Sequence, residues 1–143
     1  MANLRQRLAQ DEGFTLIELL VVLIIIGILL SIAIPSYLGF QKKAQQTAAA
    51  SDVREAIPDA TAYYSDNGNY SGVSVTTLQG YDSGLRGYAA GPPEVPGIVT
   101  AKGGVTKFCI TARDGSNYAH VVGPGGTVVS SETADFCASW TAS

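Results

Sequence analysis

The chain has 143 residues, of which 46% are hydrophobic and 15% charged, and its formal net charge at pH 7 is −3. Its nine basic residues are outnumbered by twelve acidic ones and form no patch dense enough to indicate direct nucleic-acid binding. The length suits one modest domain, and a single histidine with two cysteines cannot build a Cys/His zinc cluster.

The first 13 residues are polar, and their basic residues are Arg5 and Arg7. Two basic residues ahead of an apolar run fit a cytoplasmic N-terminus under the positive-inside rule. Lys42 and Lys43, beyond that run, weaken the asymmetry. Residues 1–13 are therefore predicted to lie on the cytoplasmic side of a membrane.

An apolar run from Phe14 to Ile34 follows, and Glu18 is its only charged residue. A helix of about 20 apolar residues spans the hydrocarbon core of a bilayer, so the run predicts a membrane-spanning helix. A charge near the bilayer centre costs roughly 2.5–3.5 kcal/mol on insertion scales, and ionisable residues there usually have a partner. Glu18 is therefore the residue in this helix that demands a functional explanation.

Two simple interpretations of this N-terminus are open. A secretory signal peptide would have the small residues Ser31-Ile32-Ala33 at its cleavage site. Against it, the apolar run is about twice as long as the usual core of such peptides and contains a glutamate. A plain one-pass anchor explains the length, but it explains neither Glu18 nor the abrupt Gly13-Phe14 junction.

The stretch GFTLIELLVVLIIIGILLSIAIPSY, from Gly13 to Tyr37, closely resembles the class III signal of type IV pilins and related pseudopilins. The resemblance implies cleavage between Gly13 and Phe14 by a membrane-embedded prepilin peptidase, followed by N-methylation of Phe14. It also implies that Glu18 is the signature glutamate of the family. Pro35 matches the proline that ends the most apolar helical segment, and its missing amide predicts a helix kink there.

The implied cleavage suggests a role for Glu18. It would place a charged amine on Phe14, one helical turn from the Glu18 carboxylate. The two charges could neutralise each other within one chain, or Glu18 of an incoming subunit could meet the amine of its neighbour in a filament. Either pairing relieves the cost of an unpaired buried charge. The resemblance favours the pairing between subunits, in which Glu18 directs assembly.

The helix is predicted to continue beyond Pro35 with a different character. Apolar residues keep helical spacing up to Tyr64, and polar residues occupy the opposite face. Residues 36–64 are therefore predicted to be an amphipathic, water-facing half that packs on a small domain. Pro58 predicts a second bend.

Residues 65–143 are predicted to form a globular head. Residues 65–96 are expected to be turns and loops. Four strand-like segments follow, and their short connections favour an antiparallel meander: residues 97–102, 105–112, 118–122 and 127–130. In the second of these, Phe108, Ile110 and Ala112 share one face, which would bury against the helix. The predicted fold class is α+β, with one long N-terminal helix packed on a C-terminal antiparallel sheet of about four strands.

Cys109 and Cys137 are the only cysteines. In an exported chain they meet an oxidising space, so a disulfide between them is the favoured interpretation. It would close a loop of about 29 residues, fasten the C-terminal tail to the sheet and stabilise the head by roughly 3–4 kcal/mol in the chain-entropy model. Two free buried thiols are the alternative.

No motif of catalysis or of ligand binding is found. A nucleophile elbow, a P-loop, an HExxH motif and an EF-hand loop are all absent, so neither enzymatic activity nor a cofactor is predicted. His120 is expected to be a surface or sheet-face side chain. Asp114, Glu132 and Asp135 lack regular calcium-ligand spacing and are expected to be solvated charges. Asn69-Tyr70-Ser71 fits the N-glycosylation pattern, a short match that occurs often by chance.

The resemblance implies a major-type pilin. Its precursor would sit in the cytoplasmic membrane, be cut after Gly13 and polymerise through its hydrophobic helix into an extracellular homopolymeric filament on the cell surface. A separate motor ATPase in the pilus assembly machinery would supply the energy. A pseudopilin of a type II secretion or competence system is the alternative within the family. The cysteine pair favours a pilus, because major pseudopilins usually carry an acidic calcium-binding loop and lack the distal disulfide. A non-polymerising, membrane-tethered binding domain is the alternative outside the family.

Overall fold

The structure is a computed structural model that describes residues 14–88, 95–132 and 135–141. The expected leader, with Gly13 at its end, lies outside the described residues. The chain divides into two compact units, one ending at Gly39 and the other beginning at Phe40.

The first helix, α1, runs from Leu16 to Asn67 and has 52 residues. The helix is continuous at Pro35 and Pro58, and the kinks expected at these prolines stay predictions. The helix ends three residues later than the predicted Tyr64. Gly68 ends it because this residue takes a φ of 71°, a left-handed conformation that glycine adopts without strain, and its N–H donates to the Tyr64 carbonyl at 2.7 Å.

A second helix, α2, covers Val75–Tyr81, where the sequence predicted only turns and loops. Ser74 caps it: the Ser74 hydroxyl accepts from the N–H of Thr77 at 3.2 Å, and the Thr77 hydroxyl accepts from the N–H of Ser74 at 2.7 Å. This is a capping box with threonine in place of the usual Glu or Gln, so its signature is weak in the sequence. Leu78 anchors the helix in the core.

The sheet has the four strands β1 Gly97–Gly103, β2 Phe108–Asp114, β3 Asn117–Gly123 and β4 Val129–Ser131. They pair antiparallel in the order β1-β2-β3-β4. A long helix and a four-stranded meander confirm the predicted α+β fold. Gly115, with a φ of 56°, makes the tight β2–β3 turn possible.

The core lies between the sheet and the second half of α1. Small residues on one face of α1 are buried there, so backbone and sheet approach closely: Ala49, Ala50, Val53, Ala56 and Ala60. From β2, Phe108, Ile110 and Ala112 join the same cluster, as their predicted common face required.

The opposite face of β2 is covered by the C-terminal tail. A one-turn helix, α3, covers Phe136–Ser139, and its Cys137 is bonded to Cys109 across a Cα–Cα distance of 5.6 Å. The backbone N–H of Cys137 also donates to the buried Thr111 hydroxyl at 3.2 Å. The predicted disulfide is present, and it ties the tail to the middle of the sheet.

Candidate functional site

The first described turn of the chain joins Thr15 and Glu18. The carboxylate Oε2 of Glu18 accepts from the N–H of Thr15 at 3.2 Å and from its hydroxyl at 2.9 Å. In return, the Thr15 hydroxyl accepts from the N–H of Glu18 at 3.3 Å. This reciprocal capping box satisfies amides that a helix start leaves unpaired, and the positive end of the helix dipole favours the carboxylate.

The capping box uses only part of the Glu18 carboxylate. Its second oxygen, Oε1, accepts no hydrogen bond from the described residues. A carboxylate has acceptor sites on both oxygens, so Glu18 is held in place while one oxygen stays available to a cation. The chemistry that this arrangement supports is the binding of a positively charged group beside the start of the helix.

Thr15 is the residue of this site that the sequence prediction missed. Threonine followed three residues later by glutamate, directly before an apolar run, is the sequence signature of a capping box. That signature could have identified Thr15. Thr15 positions the Glu18 carboxylate relative to the backbone through hydrogen bonds within the same chain.

The helix beyond this turn exposes apolar side chains on every side as far as Phe40. Phe14 is 82% exposed, and the least exposed large apolar side chains from there to Phe40, Val21 and Ile26, are still 46% exposed. By length and composition the helix is able to cross a membrane. An apolar surface of this extent marks a contact with lipid or with other proteins.

Few other polar groups interrupt that surface. The Ser31 hydroxyl donates to the carbonyl of Ile28 at 2.7 Å, so its polarity is satisfied within the helix. Glu18 is the only charged residue between Phe14 and Ile34. Its hydrogen-bond partner, the Thr15 hydroxyl, lies at the start of the helix. Pro35 lies inside the helix and brings no further polar side chain to this site.

The other residues singled out in the sequence lie in the head. His120 is half-buried, and its ring stacks on Phe136 of α3 with 4.2 Å between ring centroids. Burial lowers the pKa of His120 below its usual value. The ring is thus a packing element on a sheet face.

The acidic residues of the head differ in their surroundings. Glu132 lies 3.7 Å from the Lys42 ammonium, and both side chains are exposed. Asp135 departs from the prediction of a solvated charge: its carboxylate caps α3 by accepting from the N–H of Ala138 at 3.2 Å, and it also accepts from the Thr100 hydroxyl. Within the described residues, no group of three or more Asp, Glu, His or Cys side chains could hold a metal ion.

Comparison with known proteins gives matches to both halves of the chain. Residues 9–34 match the family model described as "Prokaryotic N-terminal methylation motif". The chain is 30% identical to the "Type IV wide pilus major component PilA4" of Thermus thermophilus over 125 residues, which cover 87% of this chain and 82% of that protein. No solved structure gives a significant match.

Two further relatives match over a shorter part of the chain. The chain is 37% identical over 83 residues to the "Type II secretion system core protein G" of Aeromonas hydrophila, covering 58% of this chain and 55% of that protein. It is 39% identical over 62 residues to the "Type IV major pilin protein PilA" of Myxococcus xanthus, covering 43% and 28%. The chain thus spans about half or less of the length of these two relatives.

Proposed function

The chain belongs to the family of type IV pilins and pseudopilins, and we propose that it is the major subunit of an extracellular type IV pilus. Members of this family are structural subunits. The proposed subunit polymerises through its N-terminal hydrophobic helix into a helical homopolymer. The observation that carries the proposal is a single carboxylate, Glu18, held at the start of a helix whose apolar surface is exposed on every side.

The exposed apolar surface would be covered first by the membrane and then by other subunits of the filament. Before assembly, a bilayer can cover the helix because all its backbone hydrogen bonds are internal. After assembly, the helices of other subunits can cover the same surface. Both environments have a low dielectric constant, so a charge that enters them needs a partner.

Glu18 is suited to that partnership. Cleavage between Gly13 and Phe14 would create an amine one residue before Thr15, at the end of α1 where the Glu18 carboxylate lies. The free Oε1 of Glu18 could then accept from the amine of a neighbouring subunit while Oε2 keeps its bonds to Thr15. Glu18 would thus select and position the next subunit.

Two observations favour a pilus over a pseudopilus. The similarity to the pilus component of Thermus thermophilus covers 87% of this chain and therefore includes most of the head, whereas the similarity to the secretion protein of Aeromonas hydrophila covers 58%. The disulfide between Cys109 and Cys137 also supports a pilus, because the resemblance implies that major pseudopilins usually lack a distal disulfide. A pseudopilin of a secretion or competence system is the second candidate, supported by the relatives named core protein G.

The proposal implies a sequence of partners and locations. Residues 1–13 would be a leader removed by a prepilin peptidase, residues 14–35 the membrane-spanning and filament-core helix, residues 36–64 the amphipathic half and residues 65–143 the exposed head. The precursor would be inserted in the cytoplasmic membrane with its N-terminus in the cytoplasm. A separate motor ATPase would drive polymerisation into the pilus on the cell surface.

Processing is tested on the mature protein. N-terminal sequencing and intact mass should give Phe14 with a methylated amine. A mature protein that begins at Ile34 would indicate a signal peptide, and one that begins at Met1 or Ala2 a plain anchor. Gly13→Val should accumulate the precursor because a side chain would obstruct the extended backbone at the cleavage site.

Assembly is tested by the pair Glu18→Gln and Glu18→Ala. Glutamine retains an oxygen that accepts from Thr15, so it keeps the cap and removes only the charge. Breaking a buried charge pair costs about 3–5 kcal/mol, so both variants should lose surface filaments while the processed monomer accumulates in the membrane.

The matched control is Glu132→Gln, which removes an exposed carboxylate of the head and should assemble normally. Quantitative blotting of sheared and membrane fractions measures the yield. Wild-type filament yield from Glu18→Gln would show that the carboxylate acts only as a helix cap and would contradict its proposed role in assembly.

A further inference from the structure

A polar cavity of about 430 Å³ lies on the flank of α1, beside the start of β1 and the end of β2. The helix contributes Asp52 and Glu55, and Asp114 comes from the last position of β2. Arg86 is the basic residue of the lining. The lining also includes Ala48, Ser51 and Pro96. The cavity thus combines three carboxylates with one guanidinium.

The carboxylate of Asp52 is poorly satisfied in this cavity. Asp52 is only 9% exposed, and its side chain accepts no hydrogen bond from the described residues. Its Oδ1 lies 3.9 Å from the Arg86 guanidinium, too far for a hydrogen bond, and the Arg86 side chain is 65% exposed. A buried carboxylate without a hydrogen-bond donor is costly, so the cavity favours an additional cation that brings N–H donors.

An apolar groove of about 570 Å³ adjoins the cavity on the same helix. The groove and the cavity share Ala48 and Ser51, and the groove extends along α1 as far as Phe40. We call the two together the docking surface, which is formed by the lining residues between Phe40 and Glu55 of α1 with Arg86, Pro96 and Asp114. The docking surface is apolar toward Phe40 and acidic toward Glu55.

The same chain carries a pair of side chains that matches the docking surface. Phe40 and Lys43 are three residues apart and share a helix face, with the apolar residue first and the cation second. Both are exposed, Phe40 by 76%, and Lys43 forms no ion pair with the described residues. The docking surface has the same order along α1, apolar first and charged second. Two parallel copies of α1 would therefore place Phe40 on the groove and Lys43 in the acidic cavity.

The pair and the cavity lie at different levels along α1. Lys43 precedes Asp52 by nine residues and Glu55 by twelve, which corresponds to roughly 14–18 Å along a helix. The contact would thus join two different patches of identical subunits. Such a heterologous contact repeats from one subunit to the next, and it produces an open helical filament when the rotation does not close a ring.

We propose that the docking surface receives Phe40 and Lys43 of a second copy of the chain, which is parallel to the first and displaced along α1 by the distance between Lys43 and the acidic cavity. The Lys43 ammonium donates to the carboxylates of Asp52 and Glu55, and Phe40 packs against the small side chains of the groove. The inference rests on the proposed function, because it names a contact between neighbouring subunits. The contact lies in the head and does not use the Glu18 site.

The direct test is cysteine cross-linking of sheared filaments. Lys43→Cys combined with Glu55→Cys places two thiols about 18 Å apart in one chain. A disulfide tolerates a Cα–Cα separation of at most about 7 Å, so a bond between these two positions must join two subunits. Oxidation should give a ladder of multimers on non-reducing gels, and mass spectrometry of the linked peptides should identify the pair. Lys107→Cys with Glu55→Cys, in which the first thiol lies at an exposed basic position outside the docking surface, should not give this link.

Charge reversal tests whether the contact contributes to assembly. Lys43→Glu should lower the filament yield by about tenfold or more, because like charges that meet in an interface repel each other. The processed monomer should stay at its wild-type level in the membrane. Glu55→Lys should also reduce the yield, and the combination of the two substitutions should restore most of it. Lys107→Glu makes the same change of charge elsewhere in the head and should assemble normally.

The outcomes separate this inference from the proposed function. Wild-type filaments that lack the link between positions 43 and 55, together with normal assembly of Lys43→Glu, would overturn the docking contact and leave the pilus proposal intact. A link from Glu55→Cys to a different protein would assign the cavity to another partner and would also overturn it. If the wild type forms no filaments, the pilus proposal fails, and cross-linking in the membrane fraction decides the contact: the link supports it, and its absence overturns it.

Discussion

The apolar part of α1 and the head use the same kind of side chain in opposite ways. Ile25 in the first unit is 51% exposed, whereas Ile110 in the second is fully buried. The apolar helix makes all its backbone hydrogen bonds internally, and its exposed side chains are left to be covered by lipid or by other subunits. The head buries its own side chains and is closed by a disulfide.

The stabilising partners of the two regions come from different sources. Burial of apolar surface is favourable only where a second apolar surface is available. The head supplies that surface from its own chain, so its stability is a property of the monomer. The apolar helix takes it from its surroundings, so its surface is a determinant of location and assembly.

The same substitution, isoleucine to alanine, should have very different effects on stability in the two regions. Ile110→Ala should destabilise the head by about 2–5 kcal/mol, because it leaves a cavity at a fully buried site. Ile25→Ala, at an exposed site, should change the free energy of unfolding of the head by no more than about 0.5 kcal/mol. Thermal unfolding in detergent micelles, followed by near-UV circular dichroism, measures both. Equal shifts in Tm would refute the comparison.

The disulfide should stabilise the head and have no effect on the apolar part of α1. Removing Cys109 and Cys137 together, as Cys109→Ala with Cys137→Ala, should cost about 2–5 kcal/mol. The loss should release the tail at residues 135–141 in hydrogen exchange and leave the amides of residues 17–34 unchanged. Reduction of the wild type under the same conditions is the matched control. Unchanged protection of the tail in the double variant would show that packing alone holds it.

Loss of the capping box should affect the start of α1 and leave the head unchanged. Thr15→Val removes the hydroxyl that bonds Glu18, and loss of a cap of this kind costs about 0.5–2 kcal/mol. Amide exchange of residues 16–19 should accelerate, and Tm of the head should not move. Thr15→Ser keeps the hydroxyl and should restore the wild-type rates. Failure of serine to restore them would assign the effect to side-chain shape.

The smallest expected effect concerns His120. Because burial lowers its pKa in the folded state, the unfolded chain takes up a proton first as the pH falls through about 6.5, and the head loses stability. His120→Phe keeps a ring against Phe136 and removes the titration. The Tm of the wild type should therefore decrease more than the Tm of this variant when the pH is lowered from 7.5 to 5.5. Identical losses in the two proteins would exclude His120 as the cause.

Much of the fold could be predicted because its signals are local. The apolar run, the helical spacing after Pro35 and the alternation of Phe108, Ile110 and Ala112 each repeat over a few residues. The missed elements have weak local signals. In α2, Thr77 replaces the expected glutamate of a capping box, and seven residues are too few for a clear period. Asp135 looked like a solvated charge because its partner Thr100 lies 35 residues away.

The candidate site was predictable in part for the same reason. Glu18 stands out in an apolar run, and its partner Thr15 is only three residues away, so both are encoded locally. Gly13 and Phe14 were identified from the same segment, and their processing stays a prediction.

The amino-acid pattern was sufficient to predict the apolar helix with its one carboxylate, the amphipathic continuation, the strand-rich head and the pair of cysteines. These features depend on residue types at short spacing, which the backbone periods of helix and strand convert directly into faces. The tertiary structure alone decided which distant groups meet, as when the Asn117 amide donates to Gln45 at 2.8 Å across 72 residues of chain. It also decided that one carboxylate oxygen of Asp59, Oδ2, is buried without a hydrogen-bond partner among the described residues. Burial and long-range electrostatics arise only when separate elements pack, so no local pattern records them.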